Sequence, residues 1–308
     1  MKWIELSVQT PAEFVEPLSQ IFHRYGHGGI ALESIGGYNP DEGESAPDDA
    51  DVILRAYLPL DSTADQRREN ISVAVQLVAS IAPLPPLNER AIEEEAWQES
   101  WKSHFHVLRI GKRIAICPTW RDHLPKPDEI VISLDPGMAF GTGHHPTTRM
   151  CLEYIEALVQ PGHRVLDVGC GSGILSIASA KLGSSEVIGY EVEEAAARVA
   201  RENVNRNGVE TVVKIIRGTL EDQGKEENGY DIAVANISAK VVSDIASLLA
   251  RAVSPGGHVV ASGIVGDRKD EVSGTLKRAG LTPVDEKWSD DWVALVYSAA
   301  NRTQLREH

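Results

Sequence analysis

The stretch Val165–Ile174, VLDVGCGSGI, decides the fold of this chain. Its apolar first half predicts a buried strand at Arg164–Val168, and the apolar residues that follow predict a helix at Ile174–Leu182. Three glycines at alternate positions separate the two elements: Gly169, Gly171 and Gly173. Glycine lets the backbone turn sharply and approach a ligand at the carboxyl end of the strand. A dinucleotide fingerprint would need glycine where this chain has Ile174, so that class of site is excluded.

Apolar strands and helices alternate from Arg113 onward, on both sides of this stretch. Strands such as RVLDV and IAVAN are almost wholly apolar, as a parallel sheet covered on both faces requires. The pattern predicts a doubly wound α/β domain. Its predicted strands are Arg113–Cys117, Glu129–Leu134, Arg164–Val168, Glu186–Glu191, Val212–Arg217, Asp231–Ala235, His258–Gly263 and Trp292–Tyr297.

Glu191 ends the strand after the glycine turn, 22 residues beyond Gly169. A carboxylate at this spacing can accept hydrogen bonds from both hydroxyls of a ribose. A solvated charge at the end of a strand is the alternative. The glycine turn beside it favours the ribose role.

The segment Leu134–Thr148 is too rich in glycine and proline to form a regular element. Such a loop could cover a cofactor, with Phe140 packing on it and threonine hydroxyls binding its polar ends. Thr147 or Thr148 could instead cap the following helix, predicted at Arg149–Leu158. His144 and His145 are adjacent and lack a partner at zinc-like spacing, so no metal site is predicted.

The strand that ends at Ala235 is followed by Asn236, at the edge of the sheet where ligands bind. Its side chain and backbone carbonyl could contact a cofactor and an incoming amine. A turn asparagine without a ligand is the alternative.

The first hundred residues predict a small α+β unit with the order βαββαβ, which is typical of a ferredoxin-like fold. Thr10 and Pro11 have the residue types of a helix cap and a first helical position. The predicted elements are Lys2–Val8, Ala12–Tyr25, Ile30–Ile35, Val52–Leu58, Asp61–Ile81 and Leu87–Glu93. The predicted organisation is a domain at 1–93, a linker at 94–110 and a second domain at 111–308.

Composition limits the function classes. The 308 residues carry a net charge of −15, of which −10 falls on residues 1–110. An acidic surface repels nucleic-acid phosphates and attracts a basic partner. No apolar run reaches the roughly 18 residues of a membrane span, and the start lacks the features of a secretory signal. With three cysteines, the chain is expected in the reducing cytoplasm.

These segments, in this order, resemble a known enzyme family. The G-x-G-x-G turn is similar to the first motif of class I S-adenosylmethionine-dependent methyltransferases. The stretch 135–148, DPGMAFGTGHHPTT, resembles the L-eleven methyltransferases, also called PrmA, which methylate a large-subunit ribosomal protein. The bridge between Trp97 and Gly111 and the segment Ile116–Trp120 also resemble that family.

The resemblance implies methyl transfer from S-adenosylmethionine to amino nitrogens, on lysine side chains and also an N-terminal amine. It implies a basic ribosomal protein as substrate, a monomer, and no need for nucleic acid, membrane or metal. Asn236 is the expected catalytic residue. Expected cofactor contacts are Phe140, Gly141, Thr148, Asp167, Gly169, Gly171, Gly173, Ile174, Glu191 and Asn236. A lysine methyltransferase of another basic protein and a silent cofactor-binding module are the alternatives.

Overall fold

The computed structural model describes residues 2–11, 14–26, 30–34, 51–80, 84–93, 106–135, 143, 145–222 and 229–300. The chain divides into two compact units, Met1–His106 and Val107–His308. Most of the predicted linker, residues 94–105, lies outside the described residues, so the domain bounds stay a prediction. None of the helices in the described stretches has the length and apolar character that crossing a membrane requires.

The first unit has a four-stranded sheet in which the described pairings are antiparallel. Its elements are β1 (Lys2–Thr10), α1 (Val15–Tyr25), β2 (Ile30–Ser34), β3 (Val52–Pro59), α2 (Ala64–Ala79) and β4 (Asn88–Glu93). The strand order β2-β3-β1-β4 is that of a ferredoxin-like sheet, as predicted. Leu6, Phe22, Leu54 and Ile71 form its core because the sheet and both helices turn their apolar faces toward each other.

The predicted start of the first helix is wrong. Thr10 is the last residue of β1, where it pairs with Val52, and α1 begins only at Val15. The Thr10 hydroxyl donates to the Pro11 carbonyl at 3.4 Å. Pairing along the full length of β3 therefore overrides the local capping pattern.

The second unit begins with a separate three-stranded sheet. Its strands are β5 (Leu108–Ile110), β6 (Ile114–Cys117) and β7 (Ile130–Ser133). The last two correspond to predicted strands that we expected in the main sheet, and that expectation is wrong. Leu108–Ile110, inside the predicted linker, was not predicted as a strand.

The main sheet has seven strands in the order β10-β9-β8-β11-β12-β14-β13. The chain runs through β8 (Arg164–Val168), α4 (Ile174–Lys181), β9 (Glu186–Glu191), α5 (Glu194–Arg206), β10 (Val213–Arg217), β11 (Tyr230–Asn236), α6 (Ala239–Ala252), β12 (Val253–Val265), α7 (Lys269–Arg278), β13 (Leu281–Ser289) and β14 (Trp292–Ala299); α3 (Pro146–Leu158) precedes β8. Strands β8 to β12 pair in parallel, whereas β14 pairs antiparallel with both β12 and β13. The order reverses beside β8, and such a switch point opens a crevice for a ligand.

Both faces of this sheet are covered. Val165 packs in a cluster with Met150 of α3 and Leu175 of α4, and Leu166 packs in another with Val242 of α6. Alternate side chains of β8 thus enter opposite cores, which explains its unbroken apolar sequence. The predicted doubly wound α/β fold is confirmed.

Candidate active site

A cavity of about 940 Å³ lies at the carboxyl ends of β8, β9 and β11. That volume falls in the range of about 300–1,000 Å³ that is usual for small-molecule sites. Gly169, Gly171, Glu191 and Asn236 all line it. The cavity therefore lies at the switch point of the sheet, and it brings together residues of all four segments singled out in the sequence, since His145 and Thr147 of the glycine-rich segment also line it.

The turn after β8 needs glycine for both dihedral and steric reasons. Gly169 has φ +73° and Gly171 has φ +53°, values that L side chains rarely adopt. A Cβ on Gly169 would also collide with the side chain of Ile237. The amides of Gly169 and Cys170 donate to the Tyr190 carbonyl at 2.8 and 3.0 Å, which ties the turn to β9.

Gly173 and Ile174, predicted as cofactor contacts, are not among the residues that line the cavity. Gly173 has φ +81° and precedes α4, and a Cβ there would lie 3.3 Å from the Cβ of Ala200. Ile174 is buried in the core. Gly173 and Ile174 therefore pack against the interior of the domain and do not line the cavity.

Glu191 presents a fixed carboxylate to the cavity. It is only 8% exposed, and both of its oxygens accept backbone hydrogen bonds. The Gly171 amide donates to Oε2 at 2.9 Å and the Glu193 amide donates to Oε1 at 3.0 Å. Each carboxylate oxygen retains a further lone pair for a ligand hydroxyl.

Asn236 is linked to the start of α3. Its Nδ2 donates to Oγ1 of Thr148 at 3.2 Å, although the two residues are 88 positions apart. Thr148 is fully buried and does not itself line the cavity. The Asn236 Oδ1 atom is buried and has no hydrogen-bond partner in the described part of the chain.

The capping prediction for Thr147 or Thr148 is wrong, because His145 is the N-cap of α3. Its Nδ1 accepts from the Thr147 amide at 3.3 Å and lies 2.8 Å from the Thr147 hydroxyl. Pro146 follows at the first helical position, where its missing N–H has no cost.

Asp167, also predicted to contact the cofactor, is 0% exposed and does not line the cavity. Ser176 Oγ donates to its Oδ2 at 2.6 Å. Burial raises the pKa of Asp167 to about 7, against the hydrogen bonds from Ser176 and with the help of the Glu191 charge. The carboxyl group therefore lies in the core beneath the turn.

Comparison with known proteins identifies the family. The model of the family "Ribosomal protein L11 methyltransferase (PrmA)" matches residues 2–300. The ribosomal protein L11 methyltransferase of Chloroflexus aurantiacus is 42% identical over 96% of this chain and 97% of that protein. The chain belongs to the ribosomal protein L11 methyltransferase family.

Two further relatives agree with this assignment. The Bacillus subtilis ribosomal protein L11 methyltransferase is 37% identical, over 96% of this chain and 99% of that protein. A crystal structure of a ribosomal protein L11 methylase from Lactobacillus delbrueckii subsp. bulgaricus matches with TM-score 0.57 and 30% identity, over 64% of this chain and 99% of that one. The chain is thus an S-adenosylmethionine-dependent methyltransferase, and the predicted family and cofactor are confirmed.

The family's loop is only partly described. Phe140 and Gly141, predicted as cofactor contacts, lie outside the described residues. In the described part of the chain, no group of three His, Cys, Asp or Glu side chains is arranged to hold a metal ion.

Sequence reasoning missed His145 and Trp292 as cavity residues. Their rings meet edge to face with centroids 4.8 Å apart, and both line the cavity. His145 was weighed only as a metal ligand, although its position in the glycine-rich segment was a usable signal. Trp292 starts β14, and its place at this edge follows from the antiparallel direction of that strand.

Proposed function

We propose that this enzyme methylates amino nitrogens of ribosomal protein L11, at lysine side chains and an N-terminal amine. The relatives named above support this substrate, and the net charge of −15 suits a basic partner. The same proposal includes a cytoplasmic monomer that needs neither nucleic acid nor membrane.

The observation that carries the proposal is the convergence of Gly169, Glu191 and Asn236 on one cavity. The turn that begins at Gly169 has no side chain at this residue, so its backbone itself forms part of the cavity wall. The carboxylate of Glu191 accepts hydrogen bonds from the two ribose hydroxyls. The volume of about 940 Å³ leaves room for a side chain beside a cofactor-sized ligand.

S-adenosylmethionine, when bound, supplies an electrophilic methyl group on a sulfonium sulfur. The chain's own task is to hold a neutral amine in line with that methyl group. A lysine of pKa about 10.4 must lose a proton first, which costs about 4 kcal/mol at pH ~7.5. Exclusion of water from the amine lowers this cost, because burial disfavours the charged form.

Asn236 is the proposed catalytic residue. Its unpartnered Oδ1 accepts an N–H of the incoming amine, while its Nδ2 is held by Thr148 at 3.2 Å. This hydrogen bond sets the rotation of the amide, so that the nitrogen lone pair is aimed at the methyl carbon. Alignment of this kind supplies a large share of the rate of a bimolecular reaction.

The aromatic pair His145–Trp292 is proposed to bind the aliphatic part of the acceptor. Both rings line the cavity that Asn236 also lines. A lysine side chain has four methylene groups, which pack well on aromatic faces, and its ammonium group is attracted to an indole.

The test is to incubate the purified enzyme with free, unmodified ribosomal protein L11 and S-adenosylmethionine, and then to measure the intact mass of the protein. A gain in whole methyl steps supports the proposal. Gly169→Arg should abolish the gain, because its side chain would collide with that of Ile237 in the cavity wall and would strain a turn with φ +73°. Gly208→Arg is the matched control, since Gly208 also has positive φ (+66°) but open space around a Cβ. Cofactor binding without any gain in mass would refute ribosomal protein L11 as substrate and favour another basic protein.

A further inference from the structure

The proposed mechanism makes no use of the carboxyl group that lies beneath the cavity. Asp167 stands two residues before Gly169 and is 0% exposed. Its Oδ2 accepts from Ser176 Oγ at 2.6 Å, whereas its Oδ1 is buried without a partner among the described residues. A buried carboxylate that is satisfied on one side only is costly to ionise.

The groups that face Asp167 do not offset its charge. Its neighbours in the sheet are Gly189 of β9 and Val234 of β11, which are uncharged. The titratable groups that act on it or feel its charge are the thiols of Cys151 on α3 and Cys170 in the turn, and the carboxylate of Glu191 on β9. Ser176 on α4 contributes hydrogen bonds from its hydroxyl and its backbone amide but no charge. Each of these groups is neutral or negative.

A ligand in the cavity can supply the missing positive charge. Glu191 lines the cavity and its charge acts on Asp167, which lies in the low-dielectric interior. Charges interact strongly over several ångströms in such a region. A cation above the turn would therefore stabilise ionised Asp167 without touching it.

We propose that Asp167 is a positioning residue whose buried carboxylate, held by Ser176 against the first turn of α4, makes the cavity prefer a cationic ligand over a neutral one. The inference rests on the proposed function, because S-adenosylmethionine is a sulfonium cation and its product, S-adenosylhomocysteine, is neutral at sulfur. The negative charge of Asp167 therefore stabilises bound S-adenosylmethionine but not bound S-adenosylhomocysteine. Asp167 thus assists the exchange of product for fresh cofactor.

The proposal has a proton signature. Burial raises the pKa of Asp167 to about 7, so the group is partly protonated in the free enzyme at neutral pH. A bound cation lowers that pKa, and binding then releases a proton. Lowering the pH therefore weakens the binding of the cation and leaves a neutral ligand much less affected.

The experiment is isothermal titration calorimetry with S-adenosylmethionine and S-adenosylhomocysteine at pH 6 and pH 8. For the wild type, the Kd of S-adenosylmethionine should be up to about tenfold larger at pH 6 than at pH 8. At pH 6, one unit below a pKa near 7, Asp167 is mostly protonated and must lose its proton when the cation binds. The Kd of S-adenosylhomocysteine should change by less than about twofold. Asp167→Asn should remove the difference in pH dependence between the Kd values of the two ligands.

Two further variants separate charge from structure. Ser176→Ala keeps the carboxylate but removes a hydrogen bond that lowers its pKa, so the transition should move to higher pH. Glu210→Gln removes an exposed carboxylate outside the cavity and should behave as the wild type.

The wild type alone also provides a test, should Asp167→Asn fail to fold. Titrations at pH 7 in two buffers of different ionisation enthalpy should show that S-adenosylmethionine releases up to about half a proton, and S-adenosylhomocysteine less. Equal pH dependence for the two ligands, or its persistence in Asp167→Asn, would overturn the inference. Failure of both ligands to bind would overturn the proposed function as well, whereas normal binding without methylation of ribosomal protein L11 would count against the proposed substrate only.

Discussion

Replacing Asp167 by asparagine should change how the stability of the enzyme depends on pH. Burial raises the pKa of this carboxyl from 3.8 to about 7 in the folded chain. Between these two values the unfolded chain has released the proton while the folded chain still holds it. The free energy of unfolding therefore falls as the pH rises through this window and is unaffected by this group below or above it.

The magnitude follows from the width of the window. One pKa unit corresponds to about 1.36 kcal/mol, so ionising Asp167 costs the folded state about 4 kcal/mol by pH 8. Only about 1.5 kcal/mol of this has been lost at pH 5. The stability difference between Asp167→Asn and the wild type should therefore shift in favour of the variant by about 2.5 kcal/mol between pH 5 and pH 8.

The assay is urea unfolding of both proteins at the two pH values. Comparing the two differences cancels the constant cost of burying an amide, and it also cancels the titration of all other groups. Glu210→Gln should show no such shift, because that carboxylate is exposed. A stability difference that is the same at pH 5 and pH 8 would refute the reasoning, because it would mean that Asp167 titrates alike in the folded and unfolded chains.

Three further predictions concern the cavity. Asn236→Ala should lower the single-turnover rate of methylation at saturating cofactor at least about 100-fold, because alignment of the amine is lost; a near-normal rate would contradict the catalytic role. Glu191→Gln should raise the cofactor Kd by about 10- to 100-fold in calorimetry, since the hydrogen bonds to a charged acceptor are weakened; an unchanged Kd would contradict the ribose contact. Trp292→Ala should raise the KM for ribosomal protein L11 about tenfold with the cofactor Kd unchanged, whereas Trp292→Phe should keep the KM close to that of the wild type. A change in the cofactor Kd instead would mean that Trp292 contacts the cofactor rather than the acceptor.

Parts of the fold followed directly from local pattern. Strands Arg164–Val168 and Glu186–Glu191 lie where the sequence predicted them, because a strand buried on both faces must be apolar throughout and must end at a turn residue. By contrast, β13 (Leu281–Ser289) was missed. Most of its side chains are exposed, so it has neither the apolar run nor the alternation that marks a strand.

Some residues of the candidate site could likewise be predicted from the sequence and others could not. Gly169 and Glu191 were found because glycines directly after one strand and a carboxylate at the end of the next leave a local signal in the sequence. Trp292 left none, since its position depends on β14 running antiparallel beside β12. The burial of Asp167 could not be predicted either, because an aspartate two residues before the turn is equally compatible with an exposed contact.

The doubly wound domain and its glycine turn were predictable from the sequence, because they depend on residue types at short spacings, which act through backbone dihedrals and strand burial. Methyl transfer was predicted only through the resemblance to a known family. Only the tertiary structure decided that Asn236 and Thr148 lie within hydrogen-bonding distance across 88 positions and that Asp167 lies beneath the cavity. Such features depend on which elements pack together, and packing is settled by the whole core rather than by any one segment.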